Sequence, residues 1–317
     1  MPNRVLPSTG LHAWQVIAFL GAAILYLTCY LGRYNMGAAA PDIIKAFDLS
    51  NRQFGWIGTI FTVVYAAGQF VNGWLADRFG PKRLMVIGGF GCVAANALFG
   101  LSNSFSMLIL FWAVNAYFSS MMWPPCCRIL YNWFPKNRWG FWKGVSGSLC
   151  FAGGGFALAI SGFVVRLHGW RAAFFVPPAF LLAMTAIFVV MGRGSPKDAG
   201  YQPEWEEGEH PESPAETIRL ADYFTALTDP RMNLAYLAGA GEKLVRIGIL
   251  TWLVVILKRP VETGGFGLTI EQSTMIASLA FWGAVILSVV FGLMCDRVFG
   301  GQYWQTMMIG FLASAVG

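Results

Sequence analysis

The chain has 317 residues, 56% of them hydrophobic and only 12% charged, with a formal net charge of +6. A soluble domain carries about 25% charged residues, which excludes an ordinary soluble fold and predicts an integral membrane protein embedded in a lipid bilayer. The basic residues fall in short loops rather than one patch, so they report membrane topology and give no reason to expect a nucleic-acid partner.

In windows of about 20 residues, the length that crosses a hydrocarbon core, apolar segments fall near Ala13–Ala38, Phe54–Trp74, Leu84–Leu101, Phe105–Leu130, Gly144–Val165, Ala172–Met191, Met232–Leu257, Ser273–Met294 and Tyr303–Gly317. This predicts an all-α protein of eight full spans and a ninth that the chain end interrupts inside an apolar run, so the chain is expected to be incomplete. Arg4 ahead of the first run and Ala38-Ala39-Ala40 after it resemble a signal peptide, but the run far exceeds an h-region of about 7–15 residues. With the N-terminus inside, Arg78, Lys82, Arg83, Lys136, Arg138, Lys143 and Arg297 share the cytoplasmic side, while the other side is poorer in cations. That asymmetry sets the orientation and suggests a bacterial inner membrane.

The first and seventh spans each contain an arginine: Arg33 in WQVIAFLGAAILYLTCYLGRYNMGAAA and Arg246 in MNLAYLAGAGEKLVRIGILTWLVVIL. A charge at the centre of a lipid-embedded helix costs about 2.5–3.5 kcal/mol on insertion scales, so such residues usually face a cavity and serve a function. Two blander readings stand beside this one. Arg33 could end the first helix and snorkel to the interface, and Glu242, four residues before Arg246, could form an intrahelical pair with it.

Between the sixth and seventh spans, GRGSPKDAGYQPEWEEGEHPESPAETIRLADYF is the only long polar stretch; its Pro, Gly and Glu cannot bury enough apolar area to fold alone. It divides the chain into an N-terminal six-helix bundle (1–191), a cytoplasmic linker (192–222) and a partial C-terminal bundle of helices 7, 8 and part of 9 (223–317). The two bundles echo each other. Gly73, Asp77, Arg78, Gly80 and Lys82 follow the second span, and Gly292, Asp296 and Arg297 follow the eighth, each set some 45–50 residues after its intramembrane arginine. A Gly lets a neighbour approach, and the Asp can accept at a helix N-terminus or pair with an arginine, so both loops are expected to gate conformation. In the fourth span, MMWPPCCRILYNWF places Pro124 and Pro125 where they should bend the helix, with Arg128 snorkelling beyond. Gly153-Gly154-Gly155 in the fifth allows close backbone packing. The six cysteines have no metal-ligand spacing and read as small packing residues.

The loop after the second span, GWLADRFGPKR, resembles that of the major facilitator superfamily. YLGRYNMGAAAP, MMWPPCCR, the triple glycine and KLVRIGILTW are similar to the organophosphate:phosphate antiporter family within it. The resemblance implies a facilitator fold without cofactor or metal, and a small anionic substrate exchanged by alternating access. Arg33 and Arg246 would bind its phosphate, and Tyr26, Tyr30, Tyr65 and Asn35 would line the pocket. Three positions depart from the family's basic or His residues: Tyr34, Gln69 and Cys150, with Gln69 still expected at the site. They point to a smaller or less charged anion. A sugar-acid proton symporter is the main alternative, with Glu242 as the one clear proton carrier; others are a membrane sensor of sugar phosphate signalling to a kinase, and a non-functional fragment. No enzyme motif is present: neither HExxH nor a phosphate-binding loop ending in Lys-Ser/Thr occurs.

Overall fold

In the computed structural model, residues 10–201 and 252–300 are described, with isolated positions at 225, 228–230, 233, 237, 305, 308 and 309. Among the described residues, seven helical segments are long and apolar enough to cross a membrane: Leu11–Ala46, Asn51–Phe79, Pro81–Gly100, Phe105–Trp133, Lys136–His168, Trp170–Met191 and Ile270–Arg297. Each matches one of the apolar runs predicted above to within a residue or extends beyond it. Ser50 and Thr269, each with a Gln three residues on, close capping boxes that start the second span and the last described one. The expected runs at 232–257 and 303–317 lie largely outside the described residues, as does the linker.

Two spans expected to be single helices are interrupted. The first is α1 (Leu11–Leu31) followed by α2 (Asn35–Ala46), with Gly32, Arg33 and Tyr34 between them. The fourth is α5 (Phe105–Ser120) followed by α6 (Trp123–Trp133), where Pro124 and Pro125 open the second piece. The expected bend is therefore a break, because the prolines offer no N–H to the carbonyls of Ser120 and Met121. The remaining spans are α3 (Asn51–Phe79), α4 (Pro81–Gly100), α7 (Trp139–His168), α8 (Val176–Met191) and α9 (Ile270–Arg297). Gly80, at φ +87, makes the turn from α3 to α4 in a conformation that favours glycine.

The halves meet along α7 and α9. A side chain at Gly144 would place its Cβ 2.7 Å from the Ser288 carbonyl oxygen, and one at Gly292 would come equally close to the Gly140 carbonyl. The triple glycine extends this seam: Gly154 and Gly155 lie against the rings of Phe281 and Trp282, and Gly153 against the backbone of Leu27 on α1. Lipid gives two apolar helices no hydrophobic reason to associate, so close backbone packing and interhelical hydrogen bonds must hold them. Ser288 Oγ donates to the Gly144 carbonyl at 3.0 Å, and Ser148 Oγ donates to that of Val285.

Candidate anion site

The break in the first span puts Arg33 where helix walls give way to a cavity of about 250 Å³, lined by Arg33, Tyr26, Tyr30, Tyr34, Tyr65, Gln69, Trp123, Gly147, Cys150 and Phe151. That is slightly below the range of about 300–1,000 Å³ typical of sites for drug-sized ligands. A second, smaller cavity of about 60 Å³ opens beyond Arg33 and Tyr34, between α2, α3 and α5, and is lined by apolar residues such as Phe54, Phe61 and Trp112. Arg33 and Tyr34 are the residues the two cavities share.

The guanidinium of Arg33 lies among rings. Its Cζ is 4.2 Å from the centroid of Tyr65, 5.3 Å from that of Phe61 and 5.7 Å from that of Tyr30. Such contacts stabilise a cation by up to about 2 kcal/mol when desolvated, far less than the hydration it gives up. Among the described residues no carboxylate lies within ion-pairing distance of it. Two ladders of four-residue spacing build the walls. On α1 and just beyond, Tyr26 meets Tyr30 edge-on at 5.3 Å and Tyr30 stacks on Tyr34, nearly parallel at 5.4 Å. On α3, Phe61 stacks on Tyr65, and Gln69 donates its amide to the Tyr65 hydroxyl at 2.7 Å. Trp123, the first residue after the break in the fourth span, packs on Tyr26 at 5.2 Å. Phe281 of α9 meets Tyr34 edge-on, so the second half also reaches the site.

Arg33, Tyr26, Tyr30, Tyr65 and Gln69, each expected at one site, thus come together, and Arg33 does not end the span by snorkelling. Asn35 does not join them. It is fully buried, donating to Asn96 Oδ1 and the Ala173 carbonyl, each at 2.9 Å, so the fold already uses its amide. Arg246 and Glu242 lie outside the described residues. Tyr34 and Cys150, read as pocket positions that lack the family's charge, also line the cavity, whereas sequence reading missed Trp123.

The loop motifs behave differently from each other. Asp77 pairs with Arg128 of α6 at 3.4 Å, which corrects the expectation that Arg128 snorkels. Asp296 crosses between the halves and accepts from the backbone N–H groups of Gly140 at 3.1 Å and Phe141 at 2.6 Å, in the first turn of α7. Arg78 and Arg297 are exposed and Lys82 is half-buried; Gly73 and Gly292 sit one turn before their aspartates. At the opposite end of the bundle Arg166 pairs with Glu271 at 3.0 Å and Lys258 with Asp42 at 2.6 Å, so the halves touch at both faces.

Long apolar helices around a polar, arginine-bearing cavity form a membrane-spanning bundle with a candidate anion site. The profile of the Major Facilitator Superfamily matches residues 22–317, and the chain belongs to that family; it is an integral membrane protein. A probable hexose phosphate transport protein of Chlamydia pneumoniae is 30% identical over 60% of this chain and 42% of its own length. The membrane sensor protein UhpC of Salmonella typhimurium is 27% identical over 90% of this chain and 64% of its own. The match thus spans from about two-fifths to just under two-thirds of these relatives, which are consistent with the organophosphate:phosphate antiporter branch. The fold is shared with a bacterial homolog of the human lysosomal transporter Spinster, in an inward-facing and occupied conformation. That structure aligns with a TM-score of 0.66 at 18% identity, covering 88% of this chain and 61% of its own. The family and these structural neighbours are transporters, not enzymes.

Proposed function

We propose that the protein carries a small phosphorylated organic anion, an organophosphate or sugar phosphate, across the membrane in exchange for phosphate. The observation that carries this reading is Arg33: a permanently charged guanidinium in an aromatic cavity, with no carboxylate among the described residues to neutralise it. A guanidinium presents a planar fork that matches two oxygens of a phosphate, and the hydroxyls of Tyr26, Tyr30 and Tyr65 complete the oxygen's hydrogen bonds. Arg246 supplies a second cation from the other half, so an anion bridging both draws the halves together.

Exchange follows from the same electrostatics. An empty site leaves a half-buried charge that meets, among the described residues, ring faces and no carboxylate, and closing the bundle around it is unfavourable. A bound anion removes that penalty, so the loaded carrier reorients and the empty one does not; a ligand shifts the equilibrium only through such differential affinity. With the N-terminus in the cytoplasm of a bacterial inner membrane, Asp296 of α9 on the first turn of α7 closes the cytoplasmic face and the Asp77–Arg128 pair steadies the first six spans beside it, with Gly73, Arg78, Gly80, Lys82 and Arg297 shaping the same loops. The pairs of Arg166 and Lys258 close the other face. Breaking one set while the other holds is alternating access.

The test is uptake of labelled phosphate into liposomes that contain the complete protein and are loaded with unlabelled phosphate. Arg33→Ala and Arg246→Ala should each slow exchange by about 10²-fold or more, as loss of a positioned charge does; full exchange in either would refute the role. Uptake into phosphate-free liposomes driven by a proton gradient would favour the symporter and Glu242. Because a membrane sensor matches most of the chain, binding without exchange is the outcome that would assign a receptor, with a sensor kinase as its partner.

A further inference from the structure

Resting on the reading of Arg33 as the anion ligand, the geometry points to three buried asparagines, Asn35, Asn96 and Asn115, as a clamp that holds the first span broken and so aims the arginine into the cavity. In an uninterrupted helix the carbonyl of Gly32 would accept from the N–H of Met36, four residues on. Here that hydrogen bond is absent and both of its ends are taken by asparagine. Met36 N–H donates to Asn35 Oδ1 at 3.0 Å. The Gly32 carbonyl accepts from Asn96 Nδ2 at 3.0 Å and from Asn115 Nδ2 at 2.9 Å.

The three amides also bind one another. Asn35 Nδ2 donates to Asn96 Oδ1 at 2.9 Å, and Asn96 Nδ2 to Asn115 Oδ1 at 3.1 Å. Asn96 is further anchored on the Cys92 carbonyl of its own helix α4, and Asn35 on the Ala173 carbonyl ahead of α8. All three side chains are 0% exposed. Every polar atom of the clamp has a partner, so this buried network is fully satisfied and rigid rather than a source of strain. Gly32 is required by the same contact, since a Cβ there would lie 2.8 Å from Asn96 Nδ2.

Hydrocarbon offers no water to a released backbone carbonyl, so a break in mid-span persists only where protein groups take its place. Asn96 of α4 and Asn115 of α5 do so for the Gly32 carbonyl and Asn35 of α2 for the Met36 N–H, and residue 33 follows immediately after the clamped carbonyl. Without them the helix can re-form its Gly32–Met36 bond, which turns Arg33 about the axis and away from the position between the two cavities. The asparagines do not line either cavity. They are positioning residues that act through Arg33.

The experiment is equilibrium binding of labelled inorganic phosphate to the purified complete protein and to Arg33→Ala, Arg33→Lys, Asn96→Leu and the Arg33→Lys/Asn96→Leu double variant. Asn96→Leu should weaken binding by about 10²-fold, the scale set by a displacement of about 1 Å, while remaining monodisperse. Lysine is a point charge on a flexible stem that does not depend on a fixed fork, so the double variant should bind within about twofold of Arg33→Lys. Penalties that multiply instead, or a folded Asn96→Leu that binds as the wild type does while Arg33→Ala does not, would overturn the clamp and leave the anion site standing. Wild-type binding by Arg33→Ala would overturn the anion site itself. Should Asn96→Leu fail to fold, Asn115→Ala, which leaves one amide on the Gly32 carbonyl, replaces it under the same criteria with about a tenfold expected loss.

Discussion

The breaks in the first and fourth spans look alike and have opposite causes. In the fourth, the cause is local. Pro124 and Pro125 lack the donors that the carbonyls of Ser120 and Met121 would need, so the helix ends at Ser120, closes with short bonds from Met121 and Met122, and restarts at Trp123. In the first, no proline stands at the break, and Gly32, Arg33 and Asn35, though they interrupt the apolar run, do not by themselves forbid a helix. There the break depends on Asn96 and Asn115, which stand 64 and 83 residues further along the chain. A chain can thus interrupt a membrane helix by removing a donor or by supplying a competitor, and only the second ties the interruption to the packing of other helices.

The same division separates the two copies of the loop motif. Asp77 finds its partner, Arg128, within its own half, whereas Asp296 reaches across to the first turn of α7. One contact steadies a bundle and the other joins two bundles. Near-identical sequence patterns therefore do different work, and the difference lies in what each aspartate faces.

Four substitutions sharpen the comparison, beginning with the largest effect. Gly32→Leu inserts a side chain into the clamp, where overpacking costs about 1–3 kcal/mol; thermal unfolding in detergent should show that loss together with the disappearance of phosphate binding. Retained binding would mean that the first break does not depend on the asparagine contact. Asp296→Ala removes a carboxylate from two backbone donors at a helix N-terminus, worth about 1–2 kcal/mol. Spin labels at Asn137 and Val298 should then report a larger fraction of molecules open at that face, and Asp77→Ala should open it less; equal responses would erase the distinction between the two loops. The smallest effect is expected of Pro124→Ala. Proline in the first turn of a helix forfeits no intrahelical bond, so stability should move by under about 1 kcal/mol, where a mid-helix proline would give about 3 kcal/mol. A gain near the larger figure would show that the fourth span is a strained continuous helix after all.

Much of this was readable from the residues. Spans declare themselves because a hydrocarbon core demands about 20 apolar residues of any helix that crosses it, and seven of the runs expected from that rule are helices here. Arg33 stood out because a charge in such a run is costly, and Tyr26, Tyr30, Tyr65 and Gln69 followed from resemblance to a known family. Asn35 was misplaced for the same reason: it stands two residues after Arg33, but the helix break turns it toward α4 and the Ala173 carbonyl ahead of α8, away from the cavity. Arg128 was read as an interfacial cation because its partner lies some 50 residues earlier, and no spacing rule reaches that far. Gly140, Gly144, Ser288 and Gly292 are ordinary small residues one turn apart until α7 and α9 are set side by side.

Composition and periodicity by themselves determined that this chain crosses a membrane as helices and that an arginine falls within an apolar run, because transfer of a charge or a bare backbone group into hydrocarbon is so unfavourable that the pattern must show it. Where that arginine points was decided only by the tertiary structure. Its direction depends on backbone hydrogen bonds given up in favour of side chains: Gly32 and Asn35 are local, but Asn96 and Asn115 come from other helices, and no local pattern shows that they converge on the Gly32 carbonyl.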